Sequence, residues 1–210
     1  MTAPYSREER VVAAFDFDKT VSTRDNVVPF LRAAAGTRRL VWALVRTSPR
    51  LIGAALNERQ RDAAKAALVR RTLTGYDAAR LADVADRFAD DVVSKHLRAD
   101  VVERVGWHRR QGHELVLVSA SLAPYLALVA KKLRFDAVLA TELAVGDDRR
   151  LTGELAGLNV RGAEKVRRLD AWLGDRPAFV WAYGDSIGDR ELLARADQPI
   201  SVGRSPRRGF

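Results

Sequence analysis

The chain has 210 residues, 47% of them hydrophobic and 30% charged, enough to bury one good core plus a small insert and too apolar for a disordered or fibrous protein. It has no cysteine, which excludes a disulfide framework, thiolate chemistry and a cysteine-based metal site. Lys and Arg outnumber Asp and Glu by 36 to 27, a net charge of +9 that favours anionic partners.

Residues Met1 to Arg10 are polar and charged, without the apolar core of a signal peptide, so a cytoplasmic setting is expected. The apolar run Val11 to Phe17 predicts a buried strand that ends in Asp16-Phe17-Asp18-Lys19-Thr20. Residues two apart on a strand point the same way, which would place Asp16 and Asp18 on one face as nucleophile and proton donor. The plain alternative is a strand followed by a polar turn.

The next strand lies far along the chain, so residues 25–105 are read as an insert. The stretch Asp77 to Val93 carries apolar residues at Leu81, Val84, Ala85, Phe88 and Val92, a helical spacing of three and four. Earlier in the insert, Leu31 to Arg71 holds ten basic residues (Arg32, Arg38, Arg39, Arg46, Arg50, Arg59, Arg61, Lys65, Arg70, Arg71) against Glu58 and Asp62. Two apolar runs, Leu40 to Val45 and Leu51 to Leu56, are split by Arg46, Pro49 and Arg50, and neither is long enough to cross a bilayer. They read either as short helices packed on their neighbours or as a segment dipping into an anionic membrane surface with Trp42 at headgroup level.

Glu114 to Ser119 predicts a second strand, ending in Ser119-Ala120-Ser121 with a hydroxyl and backbone N–H groups suited to phosphate. A helix over Leu122 to Leu133, a strand over Ala137 to Ala140 and a hairpin over Thr141 to Leu155 around Gly146-Asp147-Asp148 follow. Gly162 to Leu173 predicts a helix opening with Lys165, and the strand Ala178 to Tyr183 runs into Gly184-Asp185-Ser186-Ile187-Gly188-Asp189. A helix over Arg190 to Ala196, a strand over Ile200 to Val202 and a basic tail, Arg204 to Arg208, complete the chain. This alternation predicts an α/β doubly wound parallel sheet, which binds ligands at the carboxyl ends of its strands, where Asp16, Ser119 and Asp185 fall.

Taken singly, the residues have plain readings. Asp189 can cap the helix that begins near Arg190, Asp185 can start a turn, and Lys165 can lie on an exposed helix face. His96, His108 and His113 show no metal or triad spacing and read as ordinary surface or core residues. No Gly-x-Ser-x-Gly elbow or Walker loop is present, leaving serine-hydrolase and nucleoside-triphosphatase readings unsupported.

Together and in this order, the four blocks resemble the haloacid dehalogenase (HAD) superfamily of aspartate-nucleophile phosphatases, across nearly the whole chain. Leu117 to Tyr125, Thr152 to Lys165 and Tyr183 to Asp189 look like its subfamily IB, the phosphoserine-phosphatase-like branch. Within that branch they resemble the bacterial hydrolases that include a phosphatidylglycerophosphate phosphatase. The resemblance implies a Rossmann-like core, residues 1–24 and 106–210, with an inserted α-helical C1-type cap, residues 25–105. It implies that Asp16 forms an aspartyl-phosphate, that Asp18 is the general acid and base, and that Lys165 screens charge. It further implies Mg²⁺ held by Asp16, the Asp18 carbonyl and Asp185, with Asp189 in support. Ser119, the Ala120 N–H and Thr20 would hold the phosphoryl oxygens.

Asp25 stands where phosphoserine phosphatases carry a cap glutamate, and their carboxylate-binding arginine has no unambiguous counterpart. The expected activity is therefore hydrolysis of a phosphomonoester, with a lipid or other small organic phosphate as substrate and peripheral contact with an anionic inner membrane face. Phosphoserine phosphatase is the alternative. A non-catalytic phosphate- or nucleic-acid-binding module is a second alternative, and its nucleic-acid form rests on charge alone.

Overall fold

The computed structural model describes residues 9–56 and 58–203, without the side chains of residues 49–59. Seven strands are present among them: β1 (Val11–Phe15), β2 (Glu114–Leu122), β3 (Ala137–Thr141), β4 (Leu143–Val145), β5 (Leu151–Leu155), β6 (Phe179–Gly184) and β7 (Gln198–Ser201). Five of them form a parallel sheet in the order β3-β2-β1-β6-β7, while β4 and β5 pair as a separate antiparallel hairpin. The order reverses at β1, whose neighbours β2 and β6 come from distant parts of the chain. Their carboxyl ends therefore open a crevice beside Phe15.

Eight α-helices accompany the strands among the described residues: α1 (Val27–Ala35), α2 (Thr37–Leu56), α3 (Glu58–Leu73), α4 (Ala78–Lys95), α5 (Ala99–Arg110), α6 (Ala123–Leu133), α7 (Ala163–Leu173) and α8 (Arg190–Arg195). Both faces of the sheet are covered, so the central strands read as continuous apolar runs rather than alternating ones. Ala13, Phe15, Leu115 and Leu117 pack into the cluster that holds Val101 and Val105 of α5 and Leu126 and Val129 of α6. Val12, Ala14, Val116 and Val118 point the other way, onto Leu169 and Leu173 of α7 and Leu192 of α8.

Helices α1 to α4 fill the long connection after β1, and α4 lies against α1 and α6. Its apolar stripe buries Leu81, Ala85, Phe88, Ala89 and Val92, and Asp77 caps its start by accepting the Arg80 N–H at 2.9 Å. Helix α5 packs on the sheet itself, so the boundary expected at residue 105 falls inside it. The β4–β5 hairpin docks on the end of α3, where a Cβ at Gly153 would lie 2.0 Å from the Thr74 hydroxyl. Only glycine fits that approach.

One expectation is corrected. Pro49 does not divide α2 into two short helices: one helix runs through it. A proline at that position leaves the Val45 carbonyl without its N–H partner, and the Ser48 hydroxyl donates to that oxygen at 2.8 Å instead. The run 51–56 continues the same helix, with side chains outside those described.

Beneath β1, His108 of α5 is fully buried, its two ring nitrogens 2.7 Å from His113 Nδ1 and 2.7 Å from the Tyr183 hydroxyl. Burial, then the neighbouring His113 and Arg104, push the His108 imidazole down to about 3. An unfolded histidine titrates near 6.5. The stabilising contribution is therefore complete above about pH 6.5 and is lost as pH falls towards the folded value, at about 1.4 kcal/mol per pH unit. Urea titrations between about pH 6 and pH 4 should show a steeper loss of stability in the wild type than in His108→Gln. Equal slopes would show that this imidazole does not stay neutral in the fold.

Candidate active site

Strand β1 stops at Phe15, and Asp16 extends its ladder by one bond, donating its N–H to the Tyr183 carbonyl at 2.9 Å. The chain then curls through Phe17–Val21, closed by the Ser22 N–H on the Phe17 carbonyl at 2.8 Å and anchored by the buried Phe17 ring. Lys19 takes a left-handed φ of 60° in this turn. Asp16 and Asp18 therefore do not share a strand face as expected from their spacing. The turn instead brings both to one cavity of about 380 Å³ at the carboxyl end of the sheet.

Asp185 follows β6, and the short turn after it returns Asp189 beneath the cavity. The Ser186 hydroxyl and N–H both donate to Asp189 Oδ2, at 2.8 and 3.1 Å. Gly184 permits this return, since a Cβ there would lie 2.5 Å from that of Asp189. In the first turn of α7, Lys165 Nζ donates to Asp16 Oδ1 at 2.6 Å and to Asp189 Oδ1 at 2.5 Å. Lys165 is 2% exposed and Asp189 1%, so this is an interior ion triad.

The electrostatics follow from burial and partners. Burial alone would depress Lys165, but the charges of Asp16 and Asp189 override it and hold the ammonium above its ordinary value. Asp189 is held below the usual carboxylate range, because the opposing pull of Lys165 and Ser186 outweighs its burial. Asp16 is pushed up to about 6 by burial, against Lys165. Asp18 is pushed up to about 7, first by burial and next by the charge of Asp25. Asp185 is raised by burial and by Asp189, with Lys19 and Thr20 acting against the rise.

Most of the expected site residues converge. Asp16, Asp18, Asp25, Ser119, Ala120, Lys165, Asp185 and Asp189 all line the cavity. Thr20 does not. Its buried hydroxyl donates to Asp185 Oδ1 at 3.4 Å. Ser119 is buried and accepts the Ser121 N–H at 3.2 Å, while the exposed Asp25 caps the start of α1 through the Val27 N–H at 3.0 Å.

Several participants were not singled out from the sequence. Asp18 accepts the Ser121 hydroxyl at 2.6 Å and the Asn26 side-chain and backbone N–H groups at 2.8 and 3.0 Å. Ser121 stands two residues from Ser119, so strand alternation already pointed to it. Arg61, Asp62 and Lys65 of α3, together with Asn159 and Arg161, also line the cavity, and no local pattern marks them.

Carboxylate oxygens of Asp16, Asp185 and Asp189 lie within 4.8 Å of one another. Both Asp189 oxygens are occupied by Lys165 and Ser186, so Asp16 and Asp185 are the pair that would hold a cation. A hard, all-oxygen donor set of this kind fits Mg²⁺ rather than zinc.

Fold and site together define an α/β protein with an aspartate-rich centre at the switch point of a parallel sheet. Residues 13–194 match the haloacid dehalogenase-like hydrolase family, and the chain belongs to that family. It is 38% identical over 192 residues to protein CicA of Caulobacter vibrioides, covering 90% of this chain and 85% of that protein. It is 27% identical to a protein of Mycobacterium tuberculosis named as a probable phosphatase, covering 100% of this chain and 72% of the relative. A crystal structure of a Bordetella pertussis protein of unknown function superposes with a TM-score of 0.79 at 25% identity, covering 92% of this chain and 90% of the other.

Replacing Lys165 by Met, of similar length, leaves Asp16 and Asp189 facing each other without a cation. The expected loss of stability is about 3 kcal/mol or more at pH 8, where both are ionised. At pH 5 protonation of one carboxyl relieves the repulsion, so the loss should shrink. Denaturant unfolding at the two pH values tests this, and an equal loss at both would remove the charge triad as the cause.

Proposed function

We propose that this hydrolase is a Mg²⁺-dependent phosphomonoesterase in which Asp16 is the nucleophile and Asp18 the general acid and base. One observation carries the reading: the two carboxyls open into the same cavity, Asp16 held by Lys165 and Asp18 pushed up to about 7, where it can carry a proton at neutral pH. The phosphatase name of the Mycobacterium tuberculosis relative supports the reaction class.

In the first step an Asp16 carboxylate oxygen bonds to phosphorus while the phosphorus–oxygen bond to the alcohol breaks, and the Asp18 carboxyl protonates the departing oxygen. In the second, Asp18, now a carboxylate, takes a proton from the water that attacks the aspartyl-phosphate, releasing phosphate and restoring Asp16. Ser121 and Asn26 hold Asp18 in orientation throughout. Ser119 and the Ala120 N–H receive the phosphoryl oxygens, and Thr20 steadies Asp185. Mg²⁺ bound at Asp16, Asp185 and the Asp18 carbonyl would supply positive charge against the phosphoryl oxygens.

The helical insert bears on the substrate class. Val41, Trp42 and Val45 of α2 are 52%, 52% and 66% exposed on one helical stripe with the exposed Arg38 and Arg46, and Arg46 stacks 5.1 Å from the Trp42 ring. Helix α2 contains no acidic residue. An apolar and cationic face of this kind suits an anionic lipid surface. No described helix is long and apolar enough to cross a membrane. The proposed substrate is accordingly an amphiphilic phosphomonoester met at such a surface.

Two measurements test these claims. Phosphate release from phosphoserine, lysophosphatidic acid, phosphatidylglycerophosphate and sugar phosphates should require Mg²⁺, stop in EDTA and fall at least about a thousandfold in Asp16→Asn with the fold retained. Retained turnover in Asp16→Asn would show another nucleophile, and a preference for phosphoserine would replace the amphiphilic substrate. In the second, the protein should sediment with phosphatidylglycerol vesicles at low salt and not with phosphatidylcholine vesicles, and Trp42→Glu should abolish the association. Equal sedimentation with both vesicles, or none, would remove the surface role of α2.

A further inference from the structure

Among the residues lining the cavity, Lys65 stands out because it belongs to a helix of the insert and is bonded to the core. Its ammonium donates to the Ala120 carbonyl, to Asn159 Oδ1 at 2.5 Å and to Thr141 Oγ1 at 3.4 Å. The Asn159 and Thr141 oxygens lie only 2.9 Å apart, so they share one N–H of the ammonium while the Ala120 carbonyl takes another. One turn earlier on α3, Asp62 Oδ1 accepts the Asn159 side-chain N–H at 2.6 Å. Asn159 is also held from β3, where its Oδ1 accepts the Thr141 hydroxyl at 2.9 Å and that hydroxyl accepts the Val160 N–H at 3.1 Å. A helix of the insert thus grips a core loop through two side chains.

Both ends of this grip lead to the reacting groups. The loop continues to Gly162, whose N–H donates to the Gly188 carbonyl at 3.0 Å and whose carbonyl accepts the Lys165 N–H at 3.0 Å. Its position therefore sets where Lys165 stands against Asp16. At the other end, the Ala120 carbonyl and the Ser121 N–H belong to one planar peptide unit. Lys65 holds the oxygen of that unit and Ser119 Oγ holds its N–H, so its rotation is fixed and with it the Ser121 hydroxyl on Asp18.

We propose that Lys65 and Asp62 form a clasp on Asn159 that seats the helical insert and transmits its position to Lys165 and Asp18, making Lys65 and Asn159 positioning residues. The inference rests on the phosphatase reading for its kinetic test only. Displacements of about 1 Å at a reacting group cost up to about a hundredfold in rate.

The test uses Lys65→Met, Asn159→Ala and the double variant of the full chain, assayed on two esters with unrelated leaving groups, p-nitrophenyl phosphate and glycerol 3-phosphate. Each single change should lower kcat about ten- to a hundredfold on both esters with a smaller change in KM, and the double variant should be no worse than the poorer single one. Losses that multiply, or a Lys65→Met loss confined to one ester, would overturn the clasp in favour of independent or substrate-reading roles. Amide hydrogen exchange without substrate gives a readout independent of turnover. Residues 119–121 and 156–162 should exchange faster in both single variants, and wild-type exchange there would overturn the proposal. If Lys65→Met does not fold, Asn159→Asp replaces the N–H₂ facing Asp62 by a repelling carboxylate. It should speed exchange in the same segments, and unchanged exchange again overturns the clasp. A wild type that hydrolyses neither ester removes the phosphatase reading and leaves the exchange arm to decide the clasp.

Discussion

The buried ammonium of Lys165 is the contact on which the active end of the molecule depends. It joins Asp16 at the end of β1 to Asp189 in the turn after β6, two segments that also meet through backbone ladder bonds, the stacked Phe15 and Tyr183 rings and the Thr20 hydroxyl on Asp185. Two carboxylates this deep would repel each other and the interior without it. Its presence ties the start of α7 to the end of β1 and offsets part of the cost of burying the Asp16 carboxylate.

The parallel sheet makes that contact possible. Its strands are buried on both faces, so they hold carboxyl groups only where they end, beside the switch in strand order. Asp16 and Asp185 each follow the end of a strand at that edge, and Ser119 lies in the carboxyl-terminal half of β2. Short turns do the rest, curling Phe17–Val21 so that Asp18 faces Asp16 and folding Asp189 back under Gly184.

The insert separates the uses of its charge. The basic stretch that stands out in the sequence is not one surface. Arg39 binds the Arg71 and Thr74 carbonyls, Arg70 pairs with Glu154, Lys65 faces inward on the core loop, and Arg38 and Arg46 remain on the outer face beside Trp42. Local spacing cannot sort cations this way, because which side of α2 and α3 meets the core is set by packing between helices.

The sequence by itself determined the sheet, its order of alternating elements and the carboxyls that line the cavity, because buried strands and the polar residues that end them are local patterns. Asp16, Asp18, Asp185 and the opening of α7 at Lys165 were readable for that reason. The spacing of Asp16 and Asp18 misled on geometry, since strand alternation ends at Phe15 and a turn takes over. Asn26, Lys65 and Asn159 were not readable. Lys65 and Asn159 lie 94 positions apart and meet because α3 is laid across the carboxyl edge of the sheet. Contacts between such distant residues come from tertiary packing, and they decide how the insert sits against the cavity.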